Sequence, residues 1–138
     1  MNTGAYIVIA VVLLSSLVGF MRIRTDGTVR SHKAGSYVTA DELGHEMGSS
    51  ATFVQFSSPF CQPCKATHDL IGNLISNKPE VAHVDLQVAD HLNLVNQLNI
   101  MRTPTTVLLD GHGHIEYRVE GAPRPAELTE ALQKVLNS

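Results

Sequence analysis

The hydrophobic and polar positions along the chain separate one long apolar run from a series of shorter periodic segments. Ala5 to Met21 is apolar apart from Ser15, Ser16 and Gly19, and Arg22, Ile23 and Arg24 follow it at once. At helical rise this run spans about 25 Å, a little short of the ~30 Å hydrocarbon core, and snorkelling arginines with their flanking residues make up the difference. It predicts an N-terminal transmembrane anchor over residues 1–24. A cleavable signal peptide fits less well, because positive charge follows the run instead of preceding it and no small-x-small site is evident after it.

Beyond the anchor the periods shorten. Thr25 to Gly35 is polar and glycine-containing, so residues 25–36 read as a juxtamembrane linker, with a marginal strand around Thr28 to Arg30. Thr39-Ala40-Asp41-Glu42 has the spacing of a capping box and predicts a helix from Ala40 to Met47, ending at Gly48. Ala51 to Phe56 is a continuous apolar, β-branched and aromatic run of the kind that becomes a strand buried on both faces. Lys65 to Ser76 places Leu70, Ile71, Leu74 and Ile75 at helical spacing and stops before Pro79. Val81 to Val88 alternates as a strand. Asp90 is placed to cap a helix through His91 to Leu98, with Leu92, Val95 and Leu98 on one face. Thr105 to Leu109 and Ile115 to Val119 are strands joined by Asp110-Gly111-His112-Gly113-His114, whose glycines supply the positive φ angles of a hairpin turn. Pro125 to Leu136 is a helix with Leu128, Leu132, Val135 and Leu136 facing inward. The order predicts a layered α/β domain with a mixed sheet over residues 37–138.

Composition narrows the function classes. The 138 residues carry a formal charge of −3, and 17% are charged. No basic face is interleaved with aromatics, so a nucleic-acid partner is not expected. Seven histidines are scattered along the chain without a complete metal-ligand set.

The chemistry concentrates in Phe60-Cys61-Gln62-Pro63-Cys64-Lys65, which holds both cysteines of the chain. With Cys61 at the start of a helix, free amide N–H groups and the helix dipole favour its thiolate. Cys61 is then the nucleophile, and Cys64, a turn further in, the less exposed resolving thiol. Half of a zinc site is the competing reading, but no second C-x-x-C or H-x-x-x-H completes it. A purely structural disulfide would close too short a loop to restrain the unfolded chain much.

Residues from about Tyr37 to Leu136 resemble the thioredoxin family. The resemblance rests on Cys61-Gln62-Pro63-Cys64-Lys65 after a buried strand, Arg102-Thr103-Pro104-Thr105 opening the hairpin, and Gly121-Ala122 after the last strand. It implies a three-layer α/β/α domain with a mixed central sheet, a cis proline at Pro104 beside the cysteines, and backbone pairing of Thr103 with an extended substrate. The physics agrees with both points, since cis bonds are tolerated before proline and a free strand edge templates a peptide. Phe60, Gln62 and Pro63 would complete the substrate-contacting rim.

Four departures from the family bear on recognition and mechanism. Phe60 stands where the family carries tryptophan, and Gln62 where it carries glycine. The buried acid of the family is Gln55 here, and the lysine that faces it becomes Asp85. Asp85 is therefore the candidate to take over proton transfer to and from Cys64. His68, four residues after Cys64, can tune that cysteine or join it in holding a metal.

The expected protein is a membrane-anchored thiol-disulfide oxidoreductase acting on protein disulfides, with no bound cofactor. Arg22, Arg24, Arg30 and Lys33 after the anchor place the domain in the cytoplasm by the positive-inside rule, where a flavin-dependent thioredoxin reductase would be the electron donor. An extracytoplasmic oxidant or isomerase is the reading if the topology is inverted. A copper carrier using the two thiolates, and an assembly factor that binds an extended partner segment, are readings of other classes.

Overall fold

The computed structural model describes residues 3–31 and 35–138; Lys33 and the middle of the expected linker lie outside them. Helix α1 (Thr3–Thr25) precedes the sheet. It is long and apolar enough to cross a membrane, with a mean hydropathy of 2.3, and none of its apolar stretch is buried. The linker then enters the sheet: β1 (Val29–Ser31) pairs antiparallel with the last strand.

Among the described residues the sheet has five strands. After α2 (Ala40–Leu43) come β2 (Ala51–Ser57), α3 (Gln62–Ile75), β3 (Val81–Gln87), α4 (Leu92–Gln97), β4 (Thr105–Asp110), β5 (Ile115–Glu120) and α5 (Pro125–Leu136). The strand order is β1-β5-β4-β2-β3. Only β2 and β3 are parallel, and helix α3 makes that crossover, as a parallel pair requires. The mixed sheet is therefore as expected.

Two apolar layers cover its faces, and β2 explains both by its period of two. Val54 and Phe56 point to one layer with Val38, Leu43, Leu94 and Leu98 from the α2 and α4 side. Ala51 and Phe53 point to the other with Ile71, Leu128 and Leu132 from α3 and α5. All seven residues of β2 are buried. This is the three-layer α/β/α arrangement.

Four details differ from the sequence expectations. Helix α2 stops at Leu43 because Gly44, at φ 66°, caps it with its N–H on the Asp41 carbonyl, so the helix never reaches Gly48. The capping box itself is present, with the Glu42 N–H donating to Thr39 and the Thr39 N–H to Glu42. Asp90 does not cap α4. It closes a turn on the Gln87 carbonyl, and His91 takes the cap position without a side-chain bond. Starting one residue later, α4 buries Leu94 and Leu98 and leaves Leu92 exposed. In the β4–β5 turn only Gly113, at φ 91°, uses the left-handed region.

Candidate functional site

Cys61 is the N-cap of α3, and Pro63 sits in the first turn, where a missing N–H leaves no bond unmade. The two cysteines form a disulfide with Cα atoms 5.2 Å apart. The Cys64 N–H points at the Cys61 sulfur, 3.2 Å away. Cys64 is 4% exposed, whereas Cys61 reaches the surface. An external disulfide therefore meets Cys61 first.

Three loops close around the pair. Phe60 precedes it, fully exposed and held at φ 61°, an unusual conformation for a bulky residue. Gln62 and Lys65 are exposed beside it. The Thr103–Pro104 peptide is cis, and the Ser58 and Thr103 hydroxyls lie 2.9 Å apart, which ties the cysteine loop to the proline loop. The Gly121 N–H donates to the Pro104 carbonyl at 2.7 Å and joins the third loop.

Beneath the disulfide lies a polar network. β2 and β3 pair in parallel with Gln55 opposite Asp85 and Phe53 opposite His83, so alternation turns Gln55, His83 and Asp85 toward α3. Gln55 is fully buried. Its amide nitrogen donates to the Cys64 carbonyl at 2.8 Å and to the Ser57 hydroxyl at 3.0 Å. Its amide oxygen lies 3.2 Å from His83 Nε2. The Gln55 amide thus clamps the backbone of Cys64.

Asp85 lines the same cleft as the cysteines, a cavity of about 370 Å³ whose walls include Phe60, Cys61, Gln62, Cys64 and His68. One carboxylate oxygen lies 3.1 Å from His68 Nδ1. The other is buried and accepts no hydrogen bond among the described residues. His68 also packs on His83, ring centres 4.8 Å apart. Burial pushes His83 from 6.5 down to about 4, helped by the nearby His68 charge and opposed by Asp85. His83 is therefore neutral at physiological pH, and its Nε2 proton is assigned by the Gln55 oxygen it faces.

The sequence reading did not single out His83, Ser57 or Ser58. Period two along β3 puts His83 on the face of Asp85, so that residue was within reach of the pattern. Among the described residues, no three His, Cys, Asp or Glu side chains are arranged to hold a metal ion.

A family model described as a thioredoxin-like domain matches residues 40–136. The chain belongs to the thioredoxin family. It is 28% identical over 87 residues to Thioredoxin Asp f 28 of Aspergillus fumigatus, covering 63% of this chain and 80% of that protein. It is also 28% identical over 68 residues to "Thioredoxin H5" of Oryza sativa subsp. japonica, covering 49% of this chain and 50% of the rice protein. A relative from Arabidopsis thaliana is 36% identical over 56 residues, covering 41% of this chain and 36% of that protein, so the chain spans half or less of the two plant relatives. Among solved structures, the thioredoxin of Trypanosoma brucei brucei aligns with a TM-score of 0.59 at 17% identity, over 75% of this chain and 89% of that one. Oxidised mitochondrial thioredoxin 3 of Saccharomyces cerevisiae aligns at 0.55 and 23%, over 62% and 79%. At these identities the likeness is one of fold. The thioredoxin fold here carries its cysteine pair at the start of α3, with Gln55, His83 and Asp85 beneath it.

Proposed function

We propose that the protein is a membrane-anchored thiol-disulfide oxidoreductase that reduces protein disulfides. The observation that carries this reading is the accessible Cys61 and buried Cys64 at the start of α3, facing the cis Thr103–Pro104 loop. In the reduced form, the Cys61 thiolate attacks one sulfur of a substrate disulfide and the other sulfur leaves as a thiolate. Cys64 then loses its proton and attacks the Cys61 sulfur of the mixed disulfide. The products are a substrate dithiol and the Cys61–Cys64 disulfide, so two electrons and two protons have passed to the substrate.

The Cys64 N–H and the helix start stabilise the Cys61 thiolate, and Lys65 adds positive charge nearby. Phe60, Gln62 and Pro63 form the rim that meets the substrate, and Thr103 and Pro104 hold its extended backbone. Asp85 receives the Cys64 proton through its unpartnered, buried oxygen, with His68 holding the other oxygen in place. Gln55 cannot take this role because an amide does not accept a proton in this range.

Residues 1–24 anchor the chain in one span, 25–36 link it, and 37–138 form the catalytic domain. The arginines after the span support a cytoplasmic side for that domain by the positive-inside rule, with a flavin-dependent thioredoxin reductase as the electron donor in this reading.

Two measurements test the chemistry and the side. Cys64→Ser should trap substrate proteins as mixed disulfides on Cys61; failure to trap any, with the wild-type chain also inactive toward disulfides, overturns the oxidoreductase. A reduction potential near or below about −250 mV supports a cytoplasmic reductant, and one near −150 mV marks an oxidant or isomerase and reverses the topology. For the base, Asp85→Asn should slow resolution of the mixed disulfide by about tenfold or more while sparing Cys61 attack; unchanged resolution removes Asp85 from the mechanism.

A further inference from the structure

The anchor does not hang from the domain by a loose tether. Asp26 directly follows the last residue of α1 and forms an ion pair with Arg102 at 2.8 Å, one residue before Thr103. The Gly27 N–H donates to the Glu120 carbonyl at 2.9 Å, and the Arg124 guanidinium donates to the carbonyl of Arg24 at 3.0 Å. From there β1 joins the sheet beside β5.

The packing at this junction leaves no room for side chains. Gly27 sits at φ 73°, and a Cβ there would collide with the Ala122 carbonyl. Gly121 sits at φ 88°, and a Cβ there would lie 2.7 Å from the Asp26 carboxylate. Gly121 therefore touches Asp26 on one side and, through its N–H, the Pro104 carbonyl on the other. One residue separates the end of the anchor from the peptide-docking loop, a distance on the order of 5–7 Å.

The surface around this junction suits a membrane interface. Arg22, Arg30, Arg102 and Arg118 line a cavity of about 680 Å³ between the end of α1 and the outer strand, together with Asp26 and Glu120, which pair with Arg102 and Arg118. Phe60 and Met101, on the cysteine and proline loops, are large apolar side chains left exposed.

We infer that the redox face is held against the bilayer, so that the substrates of Cys61 are disulfides lying within a few residues of the membrane surface in other integral membrane proteins. This rests on the proposed anchor and on the proposed exchange chemistry. Asp26 is five residues beyond Met21, about 7 Å at helical rise, which puts it at headgroup level. A peptide paired with Thr103 then runs at or just outside that level. At about 3.3 Å per extended residue, a disulfide more than roughly five residues out from its own span would lie beyond the site.

The test uses the full chain, reduced and reconstituted in phospholipid vesicles, with two single-span probe peptides. One carries an intramolecular disulfide three residues outside its span. The other carries the same disulfide on a twenty-residue helical spacer of (EAAAK) repeats, about 30 Å long. A water-soluble peptide with that disulfide serves as a third probe. The near probe should react at least tenfold faster than the spaced one. A flexible fifteen-residue Gly-Ser insertion between Thr25 and Asp26 should erase that preference and leave the soluble rate unchanged. Equal rates for the two probes with the wild-type chain, or a preference that survives the insertion, overturns the inference. The readings beneath it fail differently: loss of the chain from floated vesicles overturns the anchor and this inference with it, and no exchange with any probe overturns the chemistry.

Discussion

Replacing Gln55 tests whether the polar network under the cysteines is structural, catalytic or both. Gln55 is fully buried and its amide meets three groups: the Cys64 carbonyl, the Ser57 hydroxyl and His83 Nε2. In Gln55→Ala the Ser57 hydroxyl can turn elsewhere, and the Cys64 carbonyl loses its tie to β2 but is not left unsatisfied, because helix carbonyls keep their helical bond. The His83 N–H is the group left without a partner, at about 2 kcal/mol. Losing the buried methylene adds about 0.8 kcal/mol. We expect a total near 3 kcal/mol, a melting shift of roughly 15 °C for a domain of this size. Gln55→Leu keeps the volume but orphans the same His83 N–H and should cost about 2 kcal/mol. The assay is thermal and urea unfolding of the full chain in detergent, with the domain transition followed by circular dichroism. Exchange kinetics on the same samples should show slower resolution by Cys64 in both variants, because the clamp on its carbonyl is gone in both. Gln55→Ala within 1 kcal/mol of wild type, or Leu no better tolerated than Ala, would refute the accounting.

Two further outcomes follow from the same geometry. His83 is neutral in the folded protein down to about pH 4 but titrates near 6.5 when unfolded, so the unfolded state binds more protons between those values. Its contribution to stability is complete above pH 6.5 and falls away as pH drops toward 4, by at most ~3 kcal/mol and nearer ~2 after allowance for its partial exposure. Unfolding free energies at pH 7 and pH 4.5 should therefore differ less in His83→Gln than in the wild type, and an unchanged difference would clear His83 of this role. Gly27→Ala puts a Cβ against the Ala122 carbonyl at a positive φ and should cost more than ~1 kcal/mol. Limited proteolysis should then cut between Arg24 and Arg30 faster than in the wild type.

Much of this protein was legible in one dimension because it depends on local order. The apolar run of α1, the unbroken run of β2, the capping box at Thr39 and Glu42, and the bounds of α5 each follow from period, propensity or a cap, which neighbouring residues determine alone. The cysteine motif and the Thr103-Pro104 segment also carried their chemistry in short words. Boundaries failed where two signals competed at short range. Gly44 ended α2 before Gly48 could, and the turn closed by Asp90 displaced the start of α4 and with it the buried face from Leu92 to Leu94. The tertiary structure alone decided which residues far apart in the chain share a place. The packing of α3 brought His68 onto Asp85 and His83. The pairing of Asp26 with Arg102, and of Gly27 with Glu120, locked the anchor to the docking loop. Those contacts join residues 15 to 93 positions apart, and no periodicity in a chain records which distant segments the sheet will make neighbours.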